Sequence, residues 1–427
     1  MLRVALVQAK PGMVLAAPVL HPAAPERVLL RAGYELDDAA VRRLRDLRLG
    51  DLWIRYPGLE FIERHISPEV FRARGIVAAV VRDVVDRFQR DGAARLDYDR
   101  YRSAIQDFIR TLESHRTAGL MVQNMVEGDR PLMRHCADVC YLALLMGLKL
   151  ETYLMLKRER LPGHRAKVVV SLGLAALLHD VGMLALEPDA LERFEQKPLD
   201  ESDKDWRRHV LIGYERMRDG LGPAAAAAVL HHHQHWDGSG FPLKRNEAGE
   251  HLALAGEQIH VFARVLTVAD LFDRLRRPPG QAATTPAVVA LRAMLREPIV
   301  SWVDPVVLRA LLAVAPAYGP GSQVALSTGD RGVVVDWSPA DPCRPTVQIL
   351  RPADQDRHAL RYRDEQEPRR IDLRLRRDIE VVEVDGQNVR GANFYPETPT
   401  DYDLAAALIH AERHDAPSDI SPARDAA

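Results

Sequence analysis

The sequence predicts a mainly α-helical protein, with a central helical bundle flanked by small β-rich N- and C-terminal modules. Three observations predict it. Over about 120–315 the apolar residues recur at intervals of three and four, the period of a helix face. Toward both ends the pattern changes to short apolar runs punctuated by Gly and Pro. Within the helical part, four histidines crowd into His231-His232-His233-Gln234-His235 and run into Trp236-Asp237-Gly238-Ser239-Gly240-Phe241-Pro242.

Taken in order, residues 1–65 read as a small β-rich module. Leu2–Val7, Val28–Leu30 and Leu52–Ile54 are its strands, and a helix runs from Asp37-Asp38 to Leu49. Residues 66–119 read as a helical connector, since Ile76, Val80, Val81, Val84, Val85 and Phe88 follow a helical stripe. Helices are then expected at 132–147, 150–160, 165–180, 203–219, 223–233, 257–275 and 303–315. Pro223 followed by five alanines is a strong helix start, because proline suits the first turn and alanine the interior. Residues 316–385 read as a second β-module with a hairpin around Thr328-Gly329-Asp330, continued by Thr346–Leu350. From 386 to 427 Pro, Asp and Ala dominate, which predicts a largely disordered tail with a short helix at 402–413.

Composition narrows the classes. An apolar fraction of 47% and a charged fraction of 28% are those of an ordinary globular protein. A net charge of −2 offers no field for a nucleic acid polymer. No apolar run reaches the roughly 18–20 residues that span a bilayer, and no secretory signal is seen, so no membrane is expected. Cys136, Cys140 and Cys343 are too few for a disulfide framework, which fits a reducing cytoplasm. Cys136 and Cys140 lie one helical turn apart and read as small core residues before metal ligands.

Ten of the sixteen histidines fall between His135 and His260, so a site is sought in the helical part. Imidazole is the commonest side-chain metal ligand near neutral pH. A lone buried histidine is usually a hydrogen-bonded structural residue. The pair His179-Asp180 is harder to read that way, because it closes an apolar run, Leu174-Ala175-Ala176-Leu177-Leu178. A carboxylate buried there needs a compensating charge, and a divalent cation supplies one. For 231–235 the competing reading is a solvent-exposed polar turn, with His231 and His235 flanking. The Asp-Gly-Ser-Gly that follows demands unusual backbone angles, as at a place of close approach.

These motifs resemble the HD-GYP domain, the subgroup of HD-superfamily phosphohydrolases associated with cyclic di-GMP. His135 resembles the family's early histidine, and His179-Asp180 its His-Asp pair. His209 resembles the lone histidine, His232-His233 the paired histidines, and Asp270 the late aspartate. The resemblance covers about 125–310. It implies an HD-type helical bundle and a metal-dependent phosphodiesterase that hydrolyses cyclic di-GMP to linear pGpG and/or GMP. On that resemblance His135, His179, Asp180 and Asp270 would hold one ion. Asp180 would bridge to a second held by His209, His232 and His233. His179 and Asp180 would be catalytic, with Asp237, Gly238, Gly240, Arg274 and Arg277 as substrate contacts. Two divalent ions are implied, since Pro131 stands where members with three metals carry a glutamate; the nitrogen-rich set suits iron or manganese.

Three positions depart from the family pattern. Met183 stands where a lysine contacts a substrate phosphate, Gln234 where a glutamate follows the paired histidines, and Phe241 where a tyrosine precedes the proline. The first two favour the alternative of a non-catalytic cyclic-dinucleotide receptor or signalling scaffold; a third reading is an HD hydrolase acting on another phosphoester. The 67–118 helices are the expected surface for a homodimer, without a clear heptad, and the terminal modules are where a signalling partner is expected.

Overall fold

A computed structural model describes the chain except residues 1, 22–23, 48–50, 57, 60–61, 63–66, 92–95, 116–130, 197–199, 246–248, 279–283, 351–368 and 416–427. It is mainly α-helical, with small antiparallel sheets toward either end.

In the N-terminal module Leu2–Ala5 pairs antiparallel with Asp51–Ile54, and Val19–His21 with Ala24–Leu30. Val4, Leu6, Leu15, Leu36, Val41, Leu44, Leu52 and Ile54 make its own small core. Its helix, Asp38–Asp46, starts where Asp37 accepts the Ala40 N–H at 2.6 Å, the capping bond that satisfies an otherwise unpaired donor.

Two helices follow, Pro68–Asp91 and Tyr98–Ser114; the expected helical stretch to Leu120 lies outside the described residues beyond His115. The stripe of Val77, Val80, Val81, Val84, Val85 and Phe88 is buried in the main core. That apolar face is therefore spent inside the chain, leaving only Ile76 of the sequence-derived stripe exposed as a surface for a second copy.

The bundle centres on Pro131–Lys149, packed against Val170–Leu178 and Val261–Arg276. Its other helices are Glu151–Lys157, Gly163–Ala166, Pro188–Gln196, Arg208–Met217, Pro223–His231, Ala287–Met294, Ile299–Trp302 and Pro305–Val314. The sequence pattern missed 188–196, 287–294 and 299–302, which are too short to show a period. It also ran three helices too long. The 165–180 segment splits and ends at Leu178, the 223–233 helix ends at His231, and the 203–219 helix begins only at Arg208. Before Arg208, the Asp203 carboxylate accepts the N–H groups of Asp205 and Trp206 and holds a turn instead. Gly163–Ala185 is long and apolar enough to cross a membrane by composition, but 72% of its most apolar window is buried inside the fold, as a core helix is.

The C-terminal sheet has six strands in the order 370–372, 346–349, 331–336, 323–326, 381–384, 387–388. Its central hairpin turns at Thr328–Asp330, with Gly329 at φ +90°, and pairs Gln323 with Val333. The expectation of a largely disordered tail from 386 fails over its described part, while the short helix expected at 402–413 is found. Gln387–Asn388 is the edge strand, and Leu404–Asp415 is a helix lying on Pro305–Val314, with Leu404, Leu408 and Ala411 against the core. Residues 416–427 lie outside the described set.

Candidate metal centre

Gly182 explains how the His-Asp turn reaches the next helix. After Leu178 the chain leaves the helix, turns through His179-Asp180 and enters a 3-10 turn, Val181–Ala185. A Cβ on Gly182 would sit 2.0 Å from the His209 carbonyl oxygen, so only glycine lets this turn pack on the Arg208–Met217 helix. That approach brings Asp180 to His209.

The histidines are aimed by one repeated device. His179 and His232 each stand just past a helix end, and their Nδ1 atoms lie 2.8 Å from the carbonyls of Ala176 and Val229. Those carbonyls belong to last turns that lack helical partners. His209 does the same to Trp206 at 2.7 Å. A carbonyl only accepts, so Nδ1 carries the proton in all three rings and Nε2 presents its lone pair inward. His135 is aimed by a carboxylate instead, Nδ1 lying 2.8 Å from Asp273 Oδ2.

The Nε2 atoms meet around Asp180. His135, His179, Asp180 and Asp270 offer ligand atoms within 4.8 Å of one another, and so do Asp180, His209, His232 and His233. The structure therefore brings all seven ligand candidates together as two groups sharing Asp180. Asp180 Oδ2 lies 3.4 Å from both His135 and His179 Nε2, and Oδ1 lies 3.4 and 3.5 Å from His209 and His232. His135 Nε2 is 3.0 Å from Asp270 Oδ1.

The donor set fits cations. His209 and His232 Nε2 stand 3.4 Å apart, both as lone pairs, facing an Asp180 Oδ1 that is buried and makes no hydrogen bond. Three acceptors converging without a proton between them repel, unless a positive charge sits among them. Burial holds His209 well below its ordinary pKa and pushes His232 down to about 4, with the neighbouring histidines adding to both. Asp180 and Asp270 stay well below the carboxylate range: burial works against this, but His179 and His135 outweigh it at Asp180, and Arg274 and His135 at Asp270.

The other candidates take different places. Asp237 is exposed and holds the loop, its Oδ1 accepting from Ser239 N at 2.9 Å and Ser239 Oγ at 2.7 Å. Gly238 turns at φ +83°. A Cβ on Gly240 would meet the His233 O and His235 N at 2.3 Å, so its smallness lets the chain fold back under the paired histidines. Arg274 and Arg277, expected as substrate contacts, are drawn into internal ion pairs. Arg274 is buried with Nη2 2.9 Å from Asp270 Oδ2 and 3.2 Å from His233 Nε2, and Arg277 pairs with Asp138 and Asp273. Buried acids on the same and neighbouring helices claim both guanidinium groups. His231 stays outside both groups, and His235 stacks on Trp302 at 4.4 Å. Cys136 and Cys140 are buried core residues outside both groups.

The departures have local reasons. Gln234 is buried, its Nε2 donating to the Pro242 carbonyl at 2.5 Å and its Oε1 accepting the Leu254 N–H at 2.9 Å. A carboxylate cannot make the first bond. Met183 and Phe241 pack with Trp206 and Val210 as an apolar wall, Phe241 stacking on the His233 ring at 4.7 Å.

The sequence of a family described as "HD domain" matches residues 161–307. Over 356 residues the chain is 26% identical to the cyclic di-GMP phosphodiesterase PA4108 of Pseudomonas aeruginosa, covering 75% of this chain and 78% of that one. It is 35% identical over 122 residues to the cyclic di-GMP phosphodiesterase response regulator RpfG of Xanthomonas campestris, 27% of this chain and 30% of that one. The chain thus carries a match to the HD domain over residues 161–307 and is similar to cyclic di-GMP phosphodiesterases. Among solved structures, Bd1817, an HDG"Y"P protein from Bdellovibrio bacteriovorus, aligns with TM-score 0.43 and 17% identity over 72% of this chain and 97% of that one. The HD match begins after His135, so the first group takes one member from a helix outside the matched segment.

Sequence reasoning missed Glu201, Asp273 as a partner of His135, and the pair Arg74–Asp138. Asp273 carried a usable signal, three residues from Asp270 on one helix face. Glu201 lies in a loop and carried none.

Proposed function

We propose that this protein is a metal-dependent phosphodiesterase that hydrolyses cyclic di-GMP to linear pGpG and/or GMP, in bacterial second-messenger signalling in the cytoplasm. The observation that carries it is the pair of four-residue groups joined by Asp180. His135, His179, Asp180 and Asp270 would hold one divalent ion, and Asp180, His209, His232 and His233 a second, with iron or manganese suited to imidazole and carboxylate together. Such ions supply an activated water and neutralise charge growing on a phosphate. The residues themselves do the rest. Asp180 spans the two positions, and the backbone carbonyls of Ala176, Trp206 and Val229 lock the imidazoles in the lone-pair-inward tautomer. The wall of Met183, Val210, Trp206 and Phe241 keeps one side dry. The loop of Asp237, Gly238 and Gly240 follows directly from the paired histidines and would be the rim for a dinucleotide. Relatives named for cyclic di-GMP hydrolysis support the substrate class.

The test is incubation of protein loaded with manganese(II) or iron(II) with cyclic di-GMP, and chromatography of the nucleotides. Product from wild type and none from His179→Ala is expected. Wild type giving no product sinks the reading; tight binding without turnover would assign a receptor instead. A 3′3′-cGAMP arm separates the other phosphoester, for which a relative from Vibrio cholerae is named.

A further inference from the structure

Glu201 is a buried carboxylate in the loop before the Arg208–Met217 helix, and the metal groups do not include it. Its Oε1 lies 2.9 Å from His233 Nδ1, and its Oε2 3.3 Å from His235 Nε2. Arg274 Nη1 is farther, at 3.5 Å from Oε1, while Arg274 Nη2 sits 2.9 Å from Asp270 Oδ2. The arginine's nearest acid is thus Asp270, and the nearest group to Glu201 is an imidazole. His179, His209 and His232 are fixed by backbone carbonyls, whereas His233, like His135 with Asp273, is held by a carboxylate side chain from another segment.

We propose that Glu201 is the positioning residue of the second group: its carboxylate takes the His233 Nδ1 proton in a hydrogen bond, fixes the tautomer, and leaves Nε2 as the lone pair. Arg274 already donates to that lone pair at 3.2 Å, so a cation placed there must displace the guanidinium. Glu201 offers the displaced Arg274 an acid to turn to, beside the Trp206 ring 5.3 Å away. His235 lies beside this arrangement. Its Nδ1 lies 2.9 Å from Ser239 Oγ, which donates to Asp237, while its Nε2 faces Glu201 Oε2 without a hydrogen bond. The Gln234 amide is occupied by Pro242 and Leu254, which leaves the orienting role to a carboxylate from elsewhere. This inference rests on the second group being a metal site.

Two measurements on Glu201→Ala and the isosteric Glu201→Gln test it. The first is histidine nitrogen NMR on the full-length, metal-free chain. Wild-type His233 is expected as the Nδ1–H tautomer, with Nε2–H appearing in the variants while His179, His209 and His232 keep theirs. The second is equilibrium dialysis with manganese(II), read by mass spectrometry. Affinity for the second ion should fall about 10–100-fold, the usual cost of removing a partner behind a ligand, while the first is retained. Should Glu201→Ala fail to fold, Glu201→Gln decides. An unchanged His233 tautomer together with unchanged second-ion affinity overturns the assignment. If wild type takes up no second ion and the tautomer still shifts, the hold on His233 stands and the two-ion reading falls.

Discussion

Gly182 shows how much a missing methyl group can decide. Any Cβ there would press into the His209 carbonyl, so the turn carrying Asp180 would have to withdraw from the helix carrying His209. Gly182→Ala should therefore cost about 1–3 kcal/mol in urea denaturation, the usual penalty of overpacking, and should weaken manganese uptake as well. Equal stability and equal uptake would show that the close approach is dispensable. Met183 makes a second case. It is buried among Trp206, Val210 and Phe241, so Met183→Lys places an ammonium group in an apolar cluster. A lower melting temperature is expected from desolvating that charge. A gain in turnover at the same time would mean the ammonium reaches the substrate phosphate. Gln234 was read from sequence as a lost carboxylate; the structure shows an amide using both ends, which no single-residue comparison reveals.

Among the elements, the Val261–Arg276 helix carries more of the buried polar residues than any other, and its neighbours answer several of them. Asp270 faces the first group, Asp273 holds His135, and Arg277, just beyond the helix end, pairs with Asp273 and with Asp138 of the Pro131–Lys149 helix. Asp138 also pairs with Arg74 of the Pro68–Asp91 helix. A run of alternating charge thus joins the N-terminal connector to a ligand. Arg74→Ala removes one of the two cations beside the buried Asp138 and should cost up to about 3–5 kcal/mol, the upper end holding only if Arg277 does not compensate. Denaturation within about 1 kcal/mol of wild type would show Arg277 suffices alone. The Leu404–Asp415 helix rests on Pro305–Val314 through Leu404, Leu408 and Ala411. Ending the chain at Asp403 should lower the melting temperature; an unchanged melt would mean this docking adds nothing.

Across the molecule, the seven ligand candidates come from segments between His135 and Asp270, and each group ties three such segments together. An ion binding the folded chain and not the unfolded one stabilises by mass action, about 2.7 kcal/mol at a hundredfold excess over its dissociation constant. Calorimetry should therefore show a higher melting temperature with manganese(II) than with chelator, and His209→Ala should keep only part of the rise. No rise in wild type would contradict the metal centre itself. The two terminal modules also meet: Arg3 pairs with Asp385, and its N–H donates to the Gly321 carbonyl at 3.1 Å.

The order of histidines and aspartates along the chain carried the resemblance that named the seven ligand candidates, and apolar period gave the helical class and the flanking sheets, because residue type and period are local properties. Asp180 after an apolar run already demanded a compensating charge wherever the chain went. Glu201 beside His233, Arg274 turned inward, the Arg74–Asp138 pair and the place where the 404–415 helix docks followed from no local pattern. Each depends on which distant surface arrives next to it, and a buried charge finds its partner only when packing has removed the water between them.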